Sequence, residues 1–192
     1  PAMTVPAGKT VTGFVKIANL GNAKDKFHLE ATGPSFLTVE FLTNDIELEA
    51  GANRSDLGIK VTATKGAPSG VEQVTLKATS ESTLSVQSLM AIKVIKAELS
   101  LKFLSTPDAK VKEGKTVTFK VEVQTTGDVP INATDISFTI GAKVQTRQIT
   151  FNSGSNVSEQ VFDLNCKAGT WNIMFMVDPT DAIAETNETN NK

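Results

Sequence analysis

In Val117-Thr118-Phe119-Lys120-Val121-Glu122-Val123-Gln124 every second residue is apolar. That is the period of a β-strand with one face in a core and the other in water; a helix would repeat every third or fourth position. Outward from this stretch, Leu57, Ile59, Val61 and Ala63 follow the same rule, as do Ile136, Phe138 and Ile140, and Trp171, Ile173, Phe175 and Val177. No segment reads as a long amphipathic helix. Gly21-Asn22, Gly33-Pro34, Gly66-Ala67-Pro68, Gly127-Asp128, Gly154 and Asp178-Pro179 supply turn signals between the strands. Short alternating runs at this spacing predict an all-β chain built from antiparallel β-sandwiches of about 100 residues each, and 192 residues hold two.

An internal repeat gives the same count. Gly8-Lys9-Thr10-Val11-Thr12 recurs as Gly114-Lys115-Thr116-Val117-Thr118, and Gly21 and Gly127 keep the same offset of 106 residues. Val11, Val15 and Ile17 match Val117, Val121 and Val123, but Gly13 stands where the second copy has Phe119, and Phe14 falls on the polar face. From Val71 through Thr106 there is neither glycine nor proline. Leu89-Met90-Ala91-Ile92-Lys93-Val94-Ile95-Lys96 reads as the last strand of one domain and Leu99-Ser100-Leu101-Lys102-Phe103 as the first of the next. The domains are therefore expected at 4–96 and 97–192, joined by a short linker near Ala97 that is not a flexible Gly/Ser segment. Pro1-Ala2-Met3 resembles a cloning remnant and is left out of the fold argument.

A net charge of −2, with lysines and arginines scattered singly, gives no basic stripe, so nucleic acid is not an expected partner. The longest apolar runs, Leu89 to Ile92 and Ile173 to Val177, are far shorter than the roughly 20 residues that cross a bilayer, so direct membrane insertion is not expected of this segment. The single cysteine, Cys166, excludes an intrachain disulfide. It shares parity with Phe162 and Leu164 and is expected, with Trp171, on the buried face rather than as a nucleophile. The one histidine, His28, lies between Phe27 and Leu29 and is expected to face solvent.

The C-terminal end carries a resemblance. Ala168-Gly169-Thr170-Trp171 leads an alternating strand into Asp178-Pro179-Thr180-Asp181-Ala182-Ile183-Ala184-Glu185-Thr186-Asn187-Glu188-Thr189-Asn190-Asn191. This resembles the end of the CARDB family, the cell-adhesion-related domain of bacteria and archaea. The resemblance covers roughly 97–192 and implies an immunoglobulin-like sandwich. It departs at Thr125-Thr126-Gly127, where the family has Asn-x-Gly, and at Ile140, where it has Asp; the family also runs on into a final strand past the position of Lys192. Residues Ala7-Gly8-Lys9-Thr10-Val11, Ala18-Asn19-Leu20-Gly21-Asn22-Ala23-Lys24-Asp25 and Gly70 resemble the NPCBM-associated domain found beside glycosidases and in surface proteins. Both resemblances imply accessory, spacer or adhesion modules and bring no catalytic residues with them. The expected fold class is thus two tandem immunoglobulin-like antiparallel β-sandwiches.

Asp178, Asp181, Glu185 and Glu188, with Asn187, Asn190 and Asn191, form the strongest local cluster of polar groups. Calcium takes 6 to 8 oxygen ligands, but the spacing lacks the rhythm and glycine of an EF-hand loop, and Asp and Asn cap turns without any metal. The segment is read as a turn, and no catalytic, cofactor or metal residue is assigned. Asn53, Asn132, Asn156 and Asn187 each begin an Asn-x-Ser/Thr triplet, which leans toward an exported protein. The expected function is a non-enzymatic, extracellular structural or adhesion module of a larger cell-surface protein. It would act as a stiff spacer and interaction surface toward other surface proteins or neighbouring domains. The alternative is a carbohydrate-binding accessory module of a secreted glycosidase or other hydrolase, with glycan contact. Sugar platforms need exposed aromatics, and this chain has no Tyr and one Trp assigned to the core face.

Overall fold

In a computed structural model the described residues, 2–82, 84–105, 110–152 and 155–192, form fourteen β-strands and no helix. They fall into two compact units, Pro1–Ile95 and Lys96–Lys192. The first holds β1 (Ala2–Pro6), β2 (Thr10–Ala18), β3 (Asp25–Thr32), β4 (Leu37–Phe41), β5 (Asp45–Leu48), β6 (Asn53–Ala63), β7 (Gly70–Ser80) and β8 (Ser85–Ile95). The second holds β9 (Ala97–Ser105), β10 (Thr116–Gly127), β11 (Ala133–Ile140), β12 (Lys143–Thr150), β13 (Val157–Asn165) and β14 (Ile173–Val177). Of the turn signals in the sequence, Gly154 lies outside the described residues, as does Thr106 at the end of the glycine-free stretch.

In the first unit a five-stranded sheet, ordered β1-β8-β7-β3-β5, packs on a three-stranded sheet, β2-β6-β4. Leu29, Ile46, Leu48 and Ala78 of one sheet meet Leu57 of the other, with Val15 and Ile17 packed beside them. All pairings are antiparallel except one: β1 runs parallel to β8, with Ala2 opposite Ala91 and Met3 opposite Ile92. Ala2 and Met3 are thus part of the fold, which corrects their exclusion on sequence grounds. The reason is steric. A Cβ at Gly13 would overlap Met3 Cε, so the methionine occupies the volume that Gly13 leaves empty and Phe119 fills in the second copy.

The second unit pairs β13-β10-β9 in one sheet and β12-β11-β14 in the other. Phenylalanines from both sheets interlock: Phe138 stacks on Phe175 with centroids 4.6 Å apart, and Phe119 and Phe162 each lie 5.0–5.8 Å from both. Burying side chains of this size contributes about 1.5–3 kcal/mol each. The repeated Gly-Lys-Thr motif makes the same turn twice. Gly8 and Gly114 have φ of 74° and 78°, a conformation that disfavours any Cβ, and their N–H groups donate to Ala63 O and Cys166 O. Each turn launches a strand whose alternation is seen in the sequence: β2 at the edge of its sheet, and β10 at the centre of its own.

Candidate functional site

The acidic segment after β14 folds back onto its own sandwich. Asp178 and Asp181 adopt φ of 47° and 54°, a left-handed conformation that Asp tolerates better than most residues. The buried Asp178 carboxylate accepts from Ala182 N at 3.0 Å and Ile183 N at 2.8 Å, which closes the turn. Farther on, Glu185 is 2% exposed. Its Oε2 accepts from Leu99 N at 2.7 Å and its Oε1 from Asn191 Nδ2 at 2.9 Å. Glu98 mirrors this from β9, accepting from Asn187 N at 2.9 Å and Asn190 Nδ2 at 2.7 Å. Lys96 Nζ donates to Glu185 O at 3.1 Å, and Val177 N to Asn191 O at 2.9 Å.

Burial pushes the Glu185 carboxyl up to about 7, against the hydrogen bonds from Asn191 and Leu99 that favour its charged form; Glu188 and Glu98 add like charge in the same upward direction. Oxygens engaged by backbone N–H and amide donors are not arranged around a cation. Among the described residues no group of three or more His, Cys, Asp or Glu is placed to hold a metal ion. The cluster that stood out in the sequence is a clasp joining the tail to β9.

Trp171 is the largest departure from the sequence reading. Its parity with Ile173 and Phe175 places it on the core side, yet it is 48% exposed. The physical reason is that the ladder ends two residues short of it: β14 starts at Ile173, opposite Ile140. Beyond that pair no facing strand covers the indole. It lies instead against backbone, where a Cβ on Gly141 would come within 3.3 Å of Cζ3 and one on Gly169 within 3.5 Å of Nε1. Trp171 Nε1 donates to Lys167 O at 3.3 Å. Below it opens a cavity of about 390 Å³ with Ile140 and Leu164 in its lining and Lys143, Asn165 and Lys167 at its polar side. Cys166, expected in the core, is only half-buried and lines the same cavity.

His28 faces solvent as expected and pairs with Asp45 through Nδ1 at 2.8 Å. Phe14 is exposed on the outer face of β2, opposite Gly58. In the first unit an apolar groove of about 420 Å³ includes Val15, Ile17, Leu29, Leu57 and Val86. The four Asn-x-Ser/Thr asparagines, Asn53, Asn132, Asn156 and Asn187, are all exposed. Among the described residues no helix is long and apolar enough to cross a membrane.

The CARDB family model matches residues 96–192. No curated protein matches the chain. Similar solved structures include the secreted serine protease VesC from Vibrio cholerae, at 12% identity and a TM-score of 0.38 over 99% of this chain and 46% of that one. The chain thus spans less than half the length of that protein. The CupB2 chaperone of Pseudomonas aeruginosa is 11% identical with a TM-score of 0.33, covering 90% of this chain and 95% of that one. The class 5 fimbriae chaperone CfaA is 13% identical with a TM-score of 0.33, covering 91% and 94%. At scores this low the three likenesses carry no argument about this chain.

Proposed function

The chain belongs to the CARDB family, and from that membership we propose that it is a non-catalytic, extracellular adhesion module of a larger cell-surface protein. The family match over 96–192 is the observation that carries the reading. It marks a cell-adhesion-related module, and the clasp supports it from the chemistry: in the most acidic segment of the second unit the Asp178 and Glu185 carboxylates are committed to the fold, held by Ala182 and Ile183 and by Leu99 and Asn191. We propose in addition that it acts as a stiff spacer, a reading supported by the shortness of the connection, where β8 ends at Ile95 and β9 begins at Ala97. Other surface proteins or neighbouring domains of the same parent are the expected partners.

A test coats beads with the purified chain and measures their retention on bacterial and archaeal cell envelopes, alongside a hydrolase panel of glycoside, ester and peptide substrates. Specific retention without turnover is expected. Turnover of any substrate, or retention no better than that of albumin-coated beads, would contradict the reading.

A second reading, a carbohydrate-binding accessory module, gains support from one observation. Sugar recognition needs an exposed aromatic face, and Trp171 presents one at 48% exposure.

A further inference from the structure

We propose that the cavity beneath Trp171 binds an acidic saccharide, a sugar ring carrying a carboxylate. The inference rests on the carbohydrate reading above and adds the chemical class of the glycan. Three features of the site combine to select that class.

The first is the platform. The indole packs on backbone at Gly141 and Gly169, whose φ values of 55° and 129° belong to conformations that side chains rarely adopt. A Cβ at Gly141 would crowd the ring at 3.3 Å, and one at Gly169 would touch it at 3.5 Å. With Nε1 bonded to Lys167 O, the indole is held in one plane and its polar handle is already used. A ring fixed before binding loses little freedom when a ligand stacks on it.

The second is the shape. About 390 Å³ lies within the range of small-molecule sites, roughly 300–1,000 Å³. Ile140 and Leu164 give it an apolar side on which the C–H face of a sugar can rest. The half-exposed indole leaves the site open, which suits a ring seated on its face better than an acyl chain that needs enclosure on all sides.

The third is charge. Lys143 and Lys167 line the cavity and no carboxylate does. Neither ammonium forms an ion pair among the described residues. Asn165 adds an amide whose Oδ1 already accepts from Thr116 Oγ1 at 2.7 Å, so what it offers a ligand is its donor end. Two cations and a donor amide face an anion. A neutral sugar uses the platform and leaves the lysines without a partner, whereas a uronic-acid ring uses both. A charge-assisted contact of this kind accounts for a factor of about ten in affinity.

Trp171 is the only tryptophan and the chain has no tyrosine, so intrinsic emission reports on this site alone. The intact chain is titrated with a galacturonic-acid oligosaccharide, a neutral galactose oligosaccharide of the same length, and adenosine monophosphate. The expected result is a saturable emission change with the acidic sugar and binding of the neutral one at least about tenfold weaker. In the Lys143→Gln/Lys167→Gln variant the acidic sugar should drop to the neutral level; both side chains are exposed, so the fold is not at risk. Saturating acidic sugar should also slow alkylation of Cys166 by iodoacetamide. Equal affinity for the two sugars, or an unchanged double variant, overturns the acidic assignment and leaves the carbohydrate reading standing. No response to either sugar removes both. Tighter binding of the nucleotide makes the site a nucleotide site instead.

Discussion

Glu185 Oε2 accepts the backbone N–H of Leu99 at 2.7 Å across 86 residues of chain, and both groups are buried. This bond ties the tail to the first strand of the second sandwich. Its partner oxygen holds Asn191, whose own Oδ1 is buried without a hydrogen-bond partner.

The pH dependence follows from this carboxyl. Its folded value, about 7, lies above the ordinary 4.5, so the native state holds a proton that the unfolded chain releases first. The contribution is complete below about pH 4.5 and is lost as pH rises toward 7, after which it levels off. Thermal melts of the chain should show the second unit losing stability from pH 5 to pH 7.5, with Glu185→Gln flattening the trend. A melting temperature that rises over that range in the wild type alone would contradict the assignment. Glu185→Ala leaves Leu99 N–H buried without an acceptor and should cost about 1–3 kcal/mol. In a unit of this size each kcal/mol lowers the melting temperature by roughly 4–8 °C.

The two glycines at matching positions of the repeat should respond differently to alanine. Gly127 has φ of 90°, and a Cβ there would sit 2.7 Å from Lys96 O, a backbone atom that cannot swing away. Gly127→Ala should cost at least about 2 kcal/mol, combining left-handed strain with overlap. Gly21 has no such φ, and its added Cβ would meet only the Asn19 side chain, at 3.0 Å. Gly21→Ala should cost less than half as much. Chemical denaturation of both variants checks the ordering, and equal losses would contradict it.

Lys96 is a cleavage site by chemistry and a protected one by structure. It is half-buried, its side chain bonded to Glu185 O and its carbonyl to Asp128 N. Trypsin should therefore spare the Lys96–Ala97 bond in the folded chain and cut after Lys96 once several glycines are inserted there. Rapid cleavage of the wild type there, read by mass spectrometry, would remove the support for a spacer.

Much of the fold is legible in the sequence because strand periodicity and turn glycines are local signals. Leu57, Ile59 and Val61 alternate and are buried, and the paired glycines Gly8 and Gly114 make the turns that their repetition suggests. Two things are not local. Parity placed Trp171 in the core, but parity tells which way a side chain points and not whether a facing sheet extends far enough to cover it. Met3, read as part of a cloning remnant, fills the space that Gly13 leaves on a different strand, a contact that no local pattern announces. The clasp is harder still. Its members on β9, Glu98 and Leu99, show ordinary strand chemistry, and their partners lie 86 to 92 residues downstream.

A calcium titration followed by thermal melting distinguishes a structural clasp in the acidic tail from a cation site. A true site held at 100 times its dissociation constant would stabilise the fold by about 2.7 kcal/mol. Because Asp178 is spent on Ala182 and Ile183, and Glu185 on Leu99 and Asn191, the melting temperature should be the same in calcium and in chelator. A clear rise in calcium that Asp181→Ala abolishes would contradict the claim.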